Sequence, residues 1–170
     1  IDTGIELRDE GYYLQGYRRN QPIFFNHSGF HFIVRLLPWS DDILLARLYR
    51  IILHVAAGAT LAWSIYKYAL QTIPFTHLAA IAVLGNFLSY VFGPLSISYN
   101  TLNLIFLQFL LSVYLIFRER PLLFTIRALL PIIIVGFLLG TIAFNKATSA
   151  AFVTILLVID QVMLRRNNKP

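Results

Sequence analysis

Five apolar runs, each close to the length that crosses a lipid bilayer, constrain this chain more than any other feature. A bilayer-spanning helix needs about 20 largely apolar residues. The runs cover about 43–66, 75–92, 101–117, 122–144 and 148–164. Their punctuation is that of helices. The cap pair Asp41-Asp42 opens the first, Pro74 stands at the entrance of the second, and Gly93-Pro94 ends it. Arg118-Glu119-Arg120-Pro121 closes the third run and Arg165-Arg166-Asn167-Asn168-Lys169 the last, while Pro131 predicts a kink in the fourth. Barrel strands would be shorter and would alternate.

Composition excludes most other classes. Of 170 residues, 58% are hydrophobic and 13% charged, with a mean hydropathy of +0.68. Soluble domains carry about 45–50% apolar and roughly 25% charged residues, so neither a soluble core nor disorder fits. There is no cysteine, which removes disulfide scaffolds, zinc knuckles, haem attachment and thiol nucleophiles.

The net charge of +6 does not point to nucleic acid, because of where the charges sit. Residues 1–42 hold four basic and six acidic side chains, and the remainder holds ten basic ones against Glu119 and Asp160. Most of that basic excess lies at the ends of apolar runs, and no basic stripe with interleaved aromatics is present. Lys67, the Arg118/Arg120 pair and the Arg165/Arg166/Lys169 cluster fall at every second turn, which predicts that those turns are cytoplasmic. The acidic N-terminal segment, the 93–100 loop and the Asn145-Lys146 turn then share the opposite face.

The expected fold is therefore all-α: a polytopic membrane helix bundle of about five transmembrane helices over 43–170. Residues 1–42 precede it as an external acidic loop with one or two short interfacial helices. The lipid bilayer is the first expected partner.

Few residues are placed for chemistry. Asp9-Glu10, on the outer side, can supply a general base or a metal ligand, or can simply be solvated loop acids. Arg47, Arg50 and His54 share one face of the first long helix. They face a polar cavity or a partner or, for the arginines, the headgroups; His54, lying deeper, is expected to make a polar contact with another helix. His27 and His31 have i, i+4 spacing, but no Glu follows His27 and no third ligand is evident, so no bound metal and no cofactor are expected. Asn26-His27-Ser28 is formally a glycosylation sequon, meaningful only in a eukaryotic source. Gly136 and Gly140 form a small-xxx-small pair that predicts helix packing. Asp160 is expected to reach cytoplasmic water or the adjacent arginines. Lys146, alone at an external turn, either binds an anion or anchors the interface.

Four stretches in order carry a resemblance. Asp9-Glu10-Gly11-Tyr12-Tyr13-Leu14 resembles the acidic first-loop motif of the GT-C superfamily of membrane glycosyltransferases. Within that superfamily the stretch resembles the bacterial proteins similar to dolichyl-phosphate-mannose-protein mannosyltransferases. Ala46-Arg47-Leu48 resembles the family's Ala-Arg-Leu, and Ser98-Tyr99-Asn100-Thr101-Leu102 its second-loop Ser-Tyr-Asn turn. Gly136-Phe137-Leu138-Leu139-Gly140 with Asn145-Lys146-Ala147-Thr148 resembles its Gly-rich helix ending in Lys.

The resemblance implies a polyprenyl-phosphate-linked sugar donor, used on the non-cytoplasmic face, and an acceptor that the sequence does not name. It makes Asp9 the candidate base with Glu10 beside it, and Arg47 and Lys146 candidate donor-phosphate partners. His27 joins them where relatives carry Lys-Pro-Pro or His-Pro-Pro; here the stretch reads Asn26-His27-Ser28-Gly29. Tyr99 and Asn100 are further loop candidates. Some relatives carry an acid in the second external loop, and 93–100 has none.

The resemblance further implies a bacterial inner-membrane protein of which this chain is an N-terminal piece, inactive alone. The competing expectation is a non-enzymatic membrane subunit or transporter-like module.

Overall fold

The computed structural model describes residues 30–38, 42–88, 97–118 and 126–167. Among these there is no strand. The helices are α1 (Phe30–Val34), α2 (Ile43–Tyr68), α3 (Phe75–Leu88), α4 (Tyr99–Phe117), α5 (Ile126–Asn145) and α6 (Ala147–Asn167).

The local rules that start these helices are visible. Asp42, in extended conformation, accepts hydrogen bonds at Oδ1 from the amides of Leu44 (2.8 Å) and Leu45 (3.2 Å), capping α2. Ser98 and Thr101 form a reciprocal capping box, the Ser98 amide donating to Thr101 Oγ1 at 2.7 Å. This box begins α4 at Tyr99, two residues earlier than the apolar run indicates. Tyr99 and Asn100 are therefore first-turn helical residues, which corrects their placement in a loop. Pro131 lies inside α5, and the helix continues through it.

Neighbouring helices run up and down. Gly58 faces Ala82, and the nearby His54 carbonyl meets Asn86, so α2 and α3 are antiparallel. α4 packs between α2 and α5, and α5 packs on α6. The starts of α2, α4 and α6 thus gather at one end, here the upper end, where α1 also packs against α4. Val34, Ile97 and Leu102 form a buried cluster there. Tyr49 Oη donates to the Pro38 carbonyl at 2.8 Å, tying the chain before α2 to the helix. Lower down, Leu110, Leu138, Ile142, Ala150 and Val153 form the cluster that joins α4, α5 and α6.

The distribution of polarity decides the class of protein. Phe137, Phe152 and Val162 are more than 60% exposed, and so are Ile81 and Leu84, whereas Arg50, Ser64 and Ser112 are 0% exposed. Apolar surface outward with polar groups inward is how a bundle arranges itself in hydrocarbon; in water such patches would drive association. Three helical segments, Leu44–Tyr68, Tyr99–Phe117 and Ala147–Leu164, are long and apolar enough to cross a membrane. Phe75–Leu88 and Leu129–Asn145 are shorter apolar helices. The chain is a helical bundle with the character of a membrane protein.

Candidate functional site

The upper end of the bundle brings together residues 46 positions apart. The α5–α6 connection is tight, with the Lys146 amide donating to the Ile142 carbonyl at 2.6 Å and the Lys146 carbonyl receiving the Ser149 amide at 3.1 Å. This turn sets Asn145 and Lys146 beside the first turn of α4. Asn145 Nδ2 donates to the Tyr99 carbonyl at 2.6 Å, and Asn145 is 3% exposed. Lys146 Nζ donates to Asn100 Oδ1 at 3.3 Å and lies 5.8 Å from the centre of the Tyr99 ring. The buried amide therefore fixes the joint, while the exposed ammonium is held over its edge by an amide oxygen and a ring face. The positive end of the α6 dipole lies at the same place.

Below Lys146 opens a groove of about 400 Å³. Lys146, Thr148 and Ser149 form its mouth. Its walls are aliphatic and aromatic: Leu107 and Leu111 of α4 opposite Phe152, Leu156 and Leu157 of α6.

The other predicted residues fall differently. Arg47 is half-buried on the first turns of α2, at the same end of the bundle. Asp9, Glu10 and His27 lie outside the described residues, as do the sequon and the 93–96 part of the second loop. His31 stands in the short helix α1. Among the described residues no three His, Asp or Glu side chains converge.

A second polar group sits in mid-bundle. Arg50 and His54 are 0% and 1% exposed, so the headgroup position for Arg50 gives way to an interior one. His54 Nδ1 lies 3.0 Å from the Arg50 carbonyl, and the His54 carbonyl accepts from Asn86 Nδ2 at 2.8 Å. Asn86 and Gln108 pair reciprocally through their amides, at 2.6 and 3.2 Å. One turn further, Ser112 Oγ donates to the Gln108 carbonyl at 2.7 Å. Sequence reasoning singled out Arg50 and His54 and passed over Asn86 and Gln108. Their signal was available, since each is an amide inside an apolar run (Gln108 shares its run with Asn103), where an unpaired polar group costs several kcal/mol.

At the lower end, Asp160 has a partner that the sequence reading did not name: Arg118, just past the end of α4, in a two-pronged pair, Nε to Oδ2 at 2.7 Å and Nη2 to Oδ1 at 2.6 Å. Tyr114 Oη also donates to Oδ2, and Gln161 Nε2 donates to Tyr114 Oη at 2.9 Å. The hydrogen bond to Asp160 holds the Arg118 guanidinium above its ordinary pKa. Both charged side chains remain about a third exposed, so the pair contributes at most ~1 kcal/mol. It ties α4 to α6 at the end opposite Lys146.

The glycines reverse their expected parts. A Cβ at Gly136 or Gly140 would meet nothing within 4 Å, so this pair does not pack a helix among the described residues. The close approach is at Gly58, where a Cβ would come within 2.8 Å of Asn86 Nδ2 and 3.5 Å of the Ala82 backbone.

No family model, curated protein or solved structure matches the chain. Function therefore rests on the residues and their arrangement.

Proposed function

We propose that the chain belongs to a GT-C-type membrane glycosyltransferase, taking a sugar from a polyprenyl-phosphate carrier on the non-cytoplasmic face. The observation that carries this reading is the meeting of Tyr99 and Asn100 with Asn145 and Lys146. These are two of the four stretches in which the sequence resembles that superfamily, and a cation for a phosphate stands at their junction. A leaving lipid phosphate needs positive charge as its bond to the sugar breaks, and Lys146 supplies it. Arg47 and His27 complete the donor side, and Asp9 with Glu10 serves the acceptor hydroxyl. In this reading five helices span a bacterial plasma membrane and the upper end faces outward.

The phosphate role is tested by donor binding. Lys146→Gln removes one charge-assisted contact, worth roughly 1.5–3 kcal/mol, so affinity for a polyprenyl-phosphate-sugar should fall about 10- to 100-fold. Lys67→Gln, at the lower end over the rings of Trp63 and Tyr68, should leave it unchanged. Equal affinity of Lys146→Gln and the unaltered protein would remove Lys146 from the donor site.

The orientation is tested separately. Cysteine in place of Ser28 or Ser96 should react with an impermeant thiol reagent added outside intact cells, and cysteine in place of Asn168 should not, because the basic turns stay inside. The reverse pattern would put the upper end in the cytoplasm and end the proposal of an external active site.

A further inference from the structure

The two ends of α6 are held in different ways. Its upper part buries Ala150 and Val153 in the cluster shared with α4 and α5, and Leu157, half-buried, is the last of its residues packed against that cluster. Below Val153 no described side chain of α6 is buried, and Val158, Ile159, Val162 and Met163 are all exposed. The tie from this lower part to α4 is polar. Arg118 grips both carboxylate oxygens of Asp160, and Tyr114 Oη donates to Oδ2. Gln161 Nε2 donates to Tyr114 Oη at 2.9 Å and to the Arg118 carbonyl at 3.4 Å.

This polar cluster lies at the foot of the α4–α6 groove. Tyr114 follows Leu111 by three positions and Asp160 follows Leu157 by three, so each stands one turn below a groove wall on the same helix face. A segment with few buried apolar contacts is the part of a structure that opens most easily. Here the opening is opposed at one carboxylate. Both prongs of the guanidinium and the tyrosine hydroxyl converge on Asp160, and such charge-assisted bonds weaken sharply once the charge is gone. Neutralising Asp160 therefore loosens all three at once.

We propose that the Asp160 cluster is a strap that closes the foot of the α4–α6 groove, and that its release lets the lower part of α6 swing away from α4. The pivot is the apolar joint at Ala150 and Val153. With α6 swung out, the groove becomes a cleft running to the lower end of the bundle. The device uses only the internal packing of the bundle, so it holds for either sense of insertion and with or without sugar transfer. From Ala150 to Met163 the arm is roughly 20 Å long at 1.5 Å per residue. A swing of about 15°, within the spread of tilts found in membrane helices, moves Met163 by roughly 5 Å.

The test is a pair of distances in the whole protein in phospholipid vesicles. The chain has no cysteine, so nitroxide labels go only where cysteines are introduced. One pair, on Thr76 and Met163, spans the lower end from α3 to α6, and a second, on Leu44 and Ala151, spans the upper end; all four positions are exposed. Pulsed electron resonance should show that Asp160→Asn and Arg118→Gln each shift the lower distance to longer values by roughly 5 Å and leave the upper one unchanged. Arg166→Gln removes an exposed charge from the end of α6 outside the cluster and should change neither. An unchanged lower distance in either Asp160→Asn or Arg118→Gln would overturn the strap. An upper distance that shifts as much as the lower one would mean a general loosening of the bundle and would overturn the pivot. An equal lower shift in Arg166→Gln would assign the effect to net charge and overturn the role of the cluster.

Discussion

Asp9→Asn in the full-length protein is expected to lower sugar transfer by about 10²–10⁴-fold while leaving donor binding largely intact. The substitution keeps the side-chain shape and removes both the charge and the ability to take a proton. An acceptor hydroxyl needs a carboxylate to accept its proton as the new glycosidic bond forms, and the donor is gripped elsewhere, at its phosphate. The loss should therefore appear in turnover. Asp2→Asn removes a charge from the same N-terminal segment outside the acidic motif and should change turnover little. Glu10→Gln should fall between the two, since a neighbouring carboxylate positions the acceptor or partly replaces the base. Arg47→Gln should weaken donor binding. Transfer from a radiolabelled polyprenyl-phosphate donor, measured with variants of equal fold stability, reads all four. Near-normal transfer by Asp9→Asn would withdraw the catalytic assignment and favour a non-enzymatic membrane subunit.

The second large effect is on stability, at Gly58. A leucine there would drive its Cβ into Asn86 Nδ2 and the rest of its side chain against the Ala82 backbone. Asn86 cannot simply swing aside, because its amide is held by the His54 carbonyl and by Gln108. Overpacking costs about 1–3 kcal/mol, and hydrogen bonds between membrane helices contribute about 0.6 kcal/mol each on average. Gly58→Leu should therefore destabilise the bundle by about 2–4 kcal/mol, with Gly58→Ala at the lower edge of that range. Gly136→Ala and Gly140→Ala meet no neighbour and should be neutral or stabilising by roughly 0.4–1 kcal/mol. Unfolding of the purified protein in mixed micelles distinguishes them. No loss at Gly58→Leu would show that the α2–α3 approach is looser than this geometry, and a loss at Gly136→Ala equal to that at Gly58→Ala would show that the α5 face is packed as well.

The contrast between these glycines shows where sequence reading stops. Spacing alone marks Gly136 and Gly140 as a packing pair, yet spacing carries no information about which way that face of α5 turns. Gly58 carries no pattern beyond its run of small neighbours, Ala56-Ala57-Gly58-Ala59-Thr60. Its importance arises from the residue opposite it, 28 positions away. Asp160 is a similar case. The sequence offers it water and two nearby arginines, and the bundle delivers Arg118 from 42 residues upstream.

Helix existence and class were fixed by the chain itself. Apolar runs near bilayer length, local stops and caps such as Asp42 and Ser98, and the absence of cysteine act over a few residues, so they can be read one segment at a time. They lead to an all-helical bundle whose longest members suit a membrane. Which side chains share a site was decided only by tertiary structure. Lys146 was a lone cation with two readings until the α5–α6 turn set it beside Asn100 and over the Tyr99 ring. Asn86 and Gln108 were amides without an evident partner until the bundle brought them together from α3 and α4. In an apolar surround a polar group must find its partner across helices, and helix–helix register is set by the sum of side-chain packing over whole faces, which no local stretch of sequence encodes.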